Sequence, residues 1–122
     1  MQVLIVDDDA AFIAAVATLV EGEGHEVVGR ASTGREGVEL AEKLEPDVVL
    51  MDLDMPLVDG LEATREIVAK LHGTRVVMVS GSDVDAHILG AHAAGAVAHV
   101  RKSQFVDHLP VVLRSLAQDI DG

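Results

Sequence analysis

The sequence predicts an α/β fold in which a parallel sheet lies between two layers of helices. Two observations carry this prediction. Short apolar runs rich in β-branched residues alternate with segments that show helical periodicity. Most of these runs are continuously apolar, which is typical of strands buried on both faces. Because a length of 122 residues suits one domain, we expect residues 1–122 to form a single domain.

Five strands are predicted from their content of valine, isoleucine and leucine. In chain order they are residues 3–6, 26–29, 48–51, 76–79 and 98–101. The first, third and fourth are apolar throughout, so we expect helices on both of their faces. The fifth contains His99 and Arg101 and is the weakest of the set.

Five helices are predicted to follow these strands. Three show helical spacing, with steps of three or four between mostly apolar residues: Phe12, Val16 and Leu19; Leu61, Thr64, Val68 and Leu71; and Leu109, Leu113, Leu116 and Ile120. Two more are expected over 35–44 and 86–94. The residues expected to end helices are Gly24, Pro46, Gly73 and Gly95. Repeated βα units with short connections imply right-handed crossovers and therefore a parallel sheet.

The composition excludes several classes of function. The chain has 21 acidic residues against 9 lysines and arginines, a formal net charge of −12. Since nucleic-acid binding depends on cations that neutralise phosphates, we expect no direct nucleic-acid binding by this domain. Cysteine is absent, which excludes a disulfide framework and a thiolate zinc site. The only aromatic residues are Phe12 and Phe105, too few for a base-stacking surface.

The sequence gives no sign of a membrane or export segment. The chain enters an apolar run directly after Met1 and Gln2, without a basic leader and a small-residue cleavage site. No apolar run approaches the roughly 20 residues that a membrane-spanning helix needs. We therefore expect a cytoplasmic protein with no membrane partner.

Residues whose side chains can bind a ligand or react follow four of the predicted strands. They are Asp7, Asp8 and Asp9 after the first strand, Asp52 and Asp54 after the third, Ser80 after the fourth and Lys102 after the fifth. Because the carboxyl ends of parallel strands share one edge of the sheet, we expect these side chains to converge. Ligands of open parallel sheets bind at that edge.

A cluster of carboxylates needs a cation. Two unit charges about 4 Å apart repel by about 4 kcal/mol at an effective dielectric constant near 20. With oxygen ligands and no thiolate, the matching ion is Mg²⁺ or Mn²⁺. Asp9 directly precedes a predicted helix and is interpreted as its N-cap. Lys102 and Ser80 would supply donors to a phosphoryl oxygen, whereas the absence of GxGxxG and P-loop motifs argues against dinucleotide and ATP binding.

At these residues the sequence resembles the receiver (REC) domain of two-component response regulators, over essentially the whole chain. The resemblance is carried by VLIVDDD at 3–9, VVLMDLDMPLVDG at 48–60, VVMVSGS at 76–82 and the lysine of AGAVAHVRKS at 94–103. It implies a flavodoxin-like (βα)5 sandwich of three layers with strand order 2-1-3-4-5.

The resemblance also implies roles for individual residues. Asp52 matches the phosphoacceptor, which receives a phosphoryl group from a sensor histidine kinase or a phosphotransfer protein. Asp7 and Asp8 match the acidic pair that binds Mg²⁺ together with Asp52, and Asp54 matches the position whose backbone carbonyl completes the coordination. Lys102 and Ser80 match the residues that stabilise the phosphoryl group. Pro56 and Gly60 match the loop that shapes this edge.

The implied function is a signalling switch and not an enzyme acting on other substrates. Phosphorylation would shift a two-state equilibrium in the fourth and fifth βα units and so regulate an output, with transcription as the expected target. A homodimer through the fourth helix, the fifth strand and the fifth helix is a further implication.

Two residues depart from the family pattern. His99 stands at a switch position in the fifth strand that is usually Tyr or Phe, and an imidazole could move inward as part of the switch or be a surface residue without a role. Ser103 follows the lysine, where proline is usual, which removes the expected cis peptide bond. A residue other than proline is familiar there in receivers joined to helix-turn-helix domains.

One alternative is an enzyme. The Asp52-x-Asp54 pair after an apolar strand, followed by Ser80 and a later lysine, also resembles the haloacid-dehalogenase-type phosphohydrolases, with Asp52 as nucleophile. In that family the nucleophile motif comes first and the acidic pair last. Here Asp7 and Asp8 lead the chain, which favours the receiver.

Overall fold

One parallel sheet organises the computed structural model, with strand order β2-β1-β3-β4-β5. The structure describes residues 1–55, 59–81, 90, 92 and 94–121, and the side chains of all these except 59, 120 and 121. The strands are β1 (Gln2–Val6), β2 (Glu26–Ala31), β3 (Val48–Asp52), β4 (Arg75–Ser80) and β5 (Ala98–Arg101). The predicted sheet and the strand order implied by the resemblance are confirmed.

Helices alternate with the strands. They are α1 (Ala10–Gly22), α2 (Gly34–Leu44), α3 (Asp59–Lys70) and a C-terminal helix (Phe105–Asp121), which a short 3-10 turn (Lys102–Gln104) connects to β5. The helix predicted over 86–94 lies almost entirely outside the described residues, as does Pro56. Among the described helices, none combines the length and the apolar composition needed to cross a membrane.

The alternation of side chains along each strand separates the core into two layers. Leu4 and Met51 belong to the layer covered by α2 and α3. Ile5 and Leu50, their neighbours in the sequence, belong to the layer covered by α1 and the C-terminal helix. Every residue of β3 is buried, which explains why this strand is apolar throughout up to Asp52. The three-layer sandwich is therefore confirmed.

Local chemistry fixes the ends of the helices. The side chain of Asp9 accepts hydrogen bonds from the N–H groups of Ala11 at 3.0 Å and Phe12 at 3.2 Å, so its interpretation as the N-cap of α1 is confirmed. Helix α2 ends at Leu44, and Glu45 takes a left-handed conformation with φ of 46° directly before Pro46. The proline then prevents the helix from continuing.

Gly95 is required where the chain turns into β5. Its φ of +107° favours glycine, and its N–H donates to the carbonyl of His92 at 3.0 Å. A Cβ added to Gly95 would lie 2.9 Å from Cγ1 of Val68 in α3. A side chain at this position would therefore strain the backbone and also overpack the layer beneath α3.

Three glycine-to-alanine variants separate these two costs. Gly73→Ala meets no atom within 4 Å and should change the free energy of unfolding by less than about 0.5 kcal/mol. At Gly24 an added Cβ meets no atom within 4 Å, but the φ is +87°. Gly24→Ala should therefore lower the free energy of unfolding by about 1–2 kcal/mol. Gly95→Ala bears both costs and should lose about 2–4 kcal/mol. Urea unfolding measures all three, and equal losses for Gly24→Ala and Gly95→Ala would contradict the packing at Val68.

Candidate functional site

The carboxyl ends of β1, β3 and β5 bring four charged residues together. Asp7 directly follows β1, Asp52 is the last residue of β3, and Lys102 directly follows β5. One carboxylate oxygen from each of Asp7, Asp8 and Asp52 lies within 4.8 Å of the others. Asp7 and Asp52 are 2% and 1% exposed, whereas Asp8 faces solvent. The convergence predicted from the strand ends is present for these four residues.

The two buried carboxylates are held by the same local contact. Oδ1 of Asp7 accepts a hydrogen bond from the N–H of Asp9 at 2.8 Å. Oδ1 of Asp52 accepts one from the N–H of Asp54, also at 2.8 Å. In each case a side chain at a strand end bonds the backbone two residues later, which is a favoured turn for aspartate. The contact fixes the carboxylate and leaves its second oxygen for other partners.

Lys102 contacts both of these second oxygens. Its Nζ lies 3.0 Å from Oδ2 of Asp7 and 3.4 Å from Oδ2 of Asp52. The same ammonium lies 4.8 Å from the centroid of the Phe12 ring. Oδ2 of Asp52 is buried and accepts no hydrogen bond from the described part of the chain. Among the described residues, its polar contact is the ion pair with Lys102 at 3.4 Å.

Burial dominates the electrostatics of the site. It raises the pKa of Asp52 from an ordinary value of 3.8 to about 6. The N–H of Asp54 opposes this rise, the carboxylate of Asp7 adds to it and Lys102 opposes it. Burial lowers the pKa of Lys102, but its hydrogen bond to Asp7 and the charge of Asp52 more than compensate, so the net shift is upward. The ammonium is therefore firmly charged.

A small cavity of about 10 Å³ lies beneath the buried carboxylates. Its lining includes Phe12, Val16 and Leu50 besides Asp7 and Asp52 themselves. No basic residue among the described ones lines this cavity, and the positive charge that the structure places against the two carboxylates is that of Lys102. Three carboxylates against one ammonium leave a negative excess, and their oxygens are the ligands that a hard divalent cation prefers. The donor set therefore fits Mg²⁺ or Mn²⁺.

Ser80 and Asp54 occupy the neighbouring strand end. Ser80 is the last residue of β4 and is fully buried, and β4 pairs with β3 through Asp52 and Val79. The side chain of Asp54 accepts a short hydrogen bond from the N–H of Gly81. This bond joins the segment after β3 to the segment after β4. The resemblance assigns a role to the carbonyl of Asp54 and does not indicate this side-chain contact.

Gly60 lies directly against the end of β3. A Cβ at this position would collide with the backbone carbonyl of Asp52, so only glycine lets the first turn of α3 approach so closely. The carbonyl of Gly60 also accepts a hydrogen bond from Oγ1 of Thr64 at 2.7 Å. The resemblance assigned Gly60 to a loop at this edge, whereas the structure has it in the first turn of α3. His99 lies on β5 opposite Met78 and is half-buried, on the other face of the strand from Val100.

The contact between Phe12 and Lys102 was not predicted from the sequence. The spacing of Phe12, Val16 and Leu19 indicates an apolar helical face. Phe12 belongs to this face and packs against the core. Its ring also reaches Lys102, 90 positions later in the chain. The sequence does indicate that Phe12 lies near the predicted site, because Phe12 is in the first turn of the helix that follows the acidic residues.

Comparison with known proteins identifies the family. The model of the response regulator receiver domain matches residues 3–114. The transcriptional regulatory protein PdtaR of Mycobacterium tuberculosis is 39% identical over 112 residues, which are 91% of this chain and 54% of that protein. A protein-glutamate methylesterase/protein-glutamine glutaminase of Archaeoglobus fulgidus is 43% identical over 122 residues, covering 98% of this chain and 34% of that protein. The chain thus spans about half or less of these relatives.

The architecture agrees with this match. The crystal structure of a two-component response regulator of the LuxR family from Aurantimonas sp. SI85-9A1 superposes with a TM-score of 0.89 at 31% identity, over 96% of this chain and 85% of that one. The flavodoxin-like fold is confirmed, and these findings give no support to the phosphohydrolase alternative. The strand order, the clustered acidic residues and the sequence match agree, and the chain belongs to the receiver domain family of two-component response regulators.

Proposed function

We propose that Asp52 accepts a phosphoryl group from a sensor histidine kinase or a phosphotransfer protein. The observation that carries this proposal is Oδ2 of Asp52, a buried carboxylate oxygen that meets Lys102 at 3.4 Å and accepts no hydrogen bond from the described residues. In contrast, Oδ2 of Asp7 pairs closely with Lys102 at 3.0 Å. Asp52 also ends the central strand, with β1 and β4 on either side.

The transfer is a displacement at phosphorus. An oxygen of Asp52 forms the new P–O bond, the P–N bond to the donor histidine breaks, and the imidazole leaves with the electron pair of that bond. The product is an acyl phosphate, and water later hydrolyses it to restore the carboxylate. Lys102 offsets negative charge at the acceptor oxygen, and the hydroxyl of Ser80, at the neighbouring strand end, is the proposed donor to a phosphoryl oxygen.

Asp7, Asp8 and Asp52 would hold Mg²⁺ or Mn²⁺, with the backbone carbonyl of Asp54 as a further ligand. The fit rests on three clustered carboxylates with an excess of negative charge. A bound divalent ion neutralises charge on the phosphoryl oxygens during transfer. The chain's own contribution is to fix Asp7 and Asp52 through their backbone hydrogen bonds, with Oδ2 of each residue near the ammonium of Lys102.

The proposed consequence of phosphorylation is a shift in β4, β5 and the helices that follow them. Added negative charge at Asp52 attracts the hydroxyl of Ser80, and Asp54 connects the same edge to Gly81. His99 on β5 is the proposed second switch residue. We further propose that residues 1–122 form one domain, and that it dimerises through the helix after β4, β5 and the C-terminal helix.

The proposed setting is the cytoplasm, and the proposed role is regulation without catalysis of another reaction. This domain is expected to bind neither nucleic acid nor membrane directly, which its net charge of −12 supports. The two relatives carry different activities in their names, transcriptional regulation and glutamate methylesterase activity. Control of transcription is the proposed output here.

Replacing the acceptor tests the proposal directly. The wild-type protein, incubated with Mg²⁺ and acetyl phosphate, should gain one phosphoryl group by mass spectrometry, and Asp52→Asn should gain none because amides do not form acyl phosphates. Asp107→Asn, at an exposed carboxylate outside the cluster, is the matched control and should react like the wild type. A phosphorylated Asp52→Asn protein would exclude Asp52 as the acceptor, and repeated turnover of phosphate esters would favour an enzyme.

Removing the ammonium should separate reaction rate from cation affinity. Lys102→Gln should slow phosphorylation by acetyl phosphate about 100-fold or more, since it loses one charge-stabilising donor. The same change should strengthen Mg²⁺ binding about tenfold, because the carboxylates lose their competing cation. Stopped-flow kinetics and isothermal titration calorimetry measure the two effects. A parallel decrease in both would indicate that Lys102 supports the structure of the site instead.

The raised pKa of Asp52 predicts how stability depends on pH in the metal-free protein. Between about pH 4 and 6 the unfolded chain has lost the Asp52 proton while the folded chain keeps it, so the free energy of unfolding falls as pH rises through this range. Asp52→Asn removes that decrease. With EDTA present, it should be more stable than the wild type by about 1–3 kcal/mol at pH 7.5, and this difference should shrink at pH 4.5.

Urea unfolding at both pH values measures the difference. Added Mg²⁺ should stabilise the wild type more than Asp52→Asn, because the cation relieves the repulsion that the substitution has already removed. If Asp52→Asn is no more stable than the wild type at pH 7.5 in EDTA, the unfavourable burial of charge at Asp52 is disproved.

A further inference from the structure

We propose that Phe12 is a positioning residue for Lys102, and that the face of its ring keeps the ammonium between Asp7 and Asp52. The inference rests on the proposed function insofar as Lys102 assists the transfer to Asp52. Its structural part, the placement of the ammonium by an aromatic ring, holds for the metal-free protein as well.

The chain concentrates all of its aromatic side chains at this point. Phe12 and Phe105 are its only aromatic residues. Their ring centroids lie 5.2 Å apart at an interplanar angle of 71°, an edge-to-face pair. Nζ of Lys102 lies 4.8 Å from the centroid of the Phe12 ring, within the range of a cation–π interaction. Two segments distant in the chain therefore meet: the first turn of α1, and the 3-10 turn with the start of the C-terminal helix that directly follows it.

The two ion pairs alone do not hold Lys102 equally close to both carboxylates. Its ammonium is closer to Asp7, at 3.0 Å, than to Asp52, at 3.4 Å. A lysine side chain is long and flexible, and its charge has no fixed direction. The Phe12 ring adds a third contact, and the side chain of Lys102 is only 23% exposed. Cation–π attraction is stronger where water is excluded, so this contact is favourably placed.

The backbone of the turn is anchored on one side, because Arg101, directly before Lys102, pairs with Ser80 in the sheet. The 3-10 turn begins without a side-chain hydrogen bond to cap it. Phe105 comes three residues after Lys102 and packs against Phe12. The aromatic pair thus fastens the segment that carries the lysine to α1.

The contribution of the ring should grow when the carboxylates are occupied. If Asp7 and Asp52 share their charge with a cation, each attracts Lys102 less strongly. The attraction of the Phe12 ring does not depend on the charge of either carboxylate. Phe12 is therefore the partner that still holds the ammonium near Asp52 when the transfer takes place.

Three single variants test the role. Phe12→Leu keeps an apolar side chain but removes the ring face, and Phe12→Tyr restores it. Phe105→Leu is the matched control, because it keeps an apolar side chain against Phe12 and does not remove the ring that contacts Lys102, so its effect measures the packing of the turn alone. With acetyl phosphate and Mg²⁺, Phe12→Leu should lower the rate constant of phosphorylation about two- to thirtyfold. Phe12→Tyr should recover most of the loss, and Phe105→Leu should lose less than Phe12→Leu.

A purely structural role predicts a different pattern. Both leucine variants should then lower the stability against urea and the rate in proportion, and Phe12→Tyr should give no specific recovery. A double-mutant cycle sharpens the distinction. In a Lys102→Met background Phe12→Leu should slow the reaction no further, because there is no ammonium left to position. An undiminished slowing in that background would overturn the proposal.

A measurement without phosphorylation separates this inference from the proposed function. In the metal-free protein, the ring current of Phe12 should shift the Lys102 ε-methylene protons upfield, in the wild type and in Phe105→Leu but not in Phe12→Leu. An unshifted wild-type signal would overturn the positioning. If the shift is present but the wild type does not react with acetyl phosphate, the proposed function fails while the placement of Lys102 stands.

Discussion

Negative charge held at the ends of two central strands is the constraint on which the rest of the site depends. Asp7 and Asp52 are almost completely buried, and an apolar cavity lies beneath them. Burying a charge without compensation is costly, and Lys102 is the basic residue that the described structure places against both. Its single charge leaves the cluster negative. Lys102 therefore reduces the cost of burying the carboxylates during folding. The negative charge that remains attracts cations.

The topology explains why this charge collects at one place. Strands β1 and β3 are neighbours in the sheet although β2 separates them in the chain, so the winding reverses between them. The helices that leave these strands cover opposite faces, α1 with one core layer and α3 with the other. Open parallel sheets leave a crevice where the winding reverses, and Asp7 and Asp52 lie at this point of the sheet. Lys102 reaches this point from β5 through the 3-10 turn.

The sequence predicted the parts that depend on local pattern. Apolar runs identified the strands, and because parallel strands share one carboxyl edge, the pattern alone was enough to place Asp7, Asp52 and Lys102 together. The hydrogen bond from the N–H of Gly81 to the side chain of Asp54 and the contact between Phe12 and Lys102 were not predicted. Both join residues from different segments, and they depend on how loops close and how helices rotate against the sheet. Periodicity shows which face of α1 is apolar, but not which residue meets the lysine.

The paired hydrogen bonds from Asp9 to Asp7 and from Asp54 to Asp52 have a consequence for binding. A free aspartate side chain rotates among several rotamers, and a ligand that orders it loses about 0.5–1.5 kcal/mol of affinity per side chain. Here the backbone removes that freedom during folding, when the turns after β1 and β3 form. An arriving ligand therefore meets carboxylates that are already oriented. The entropy loss has been transferred from the binding equilibrium to the folding equilibrium, and it lowers global stability instead of ligand affinity.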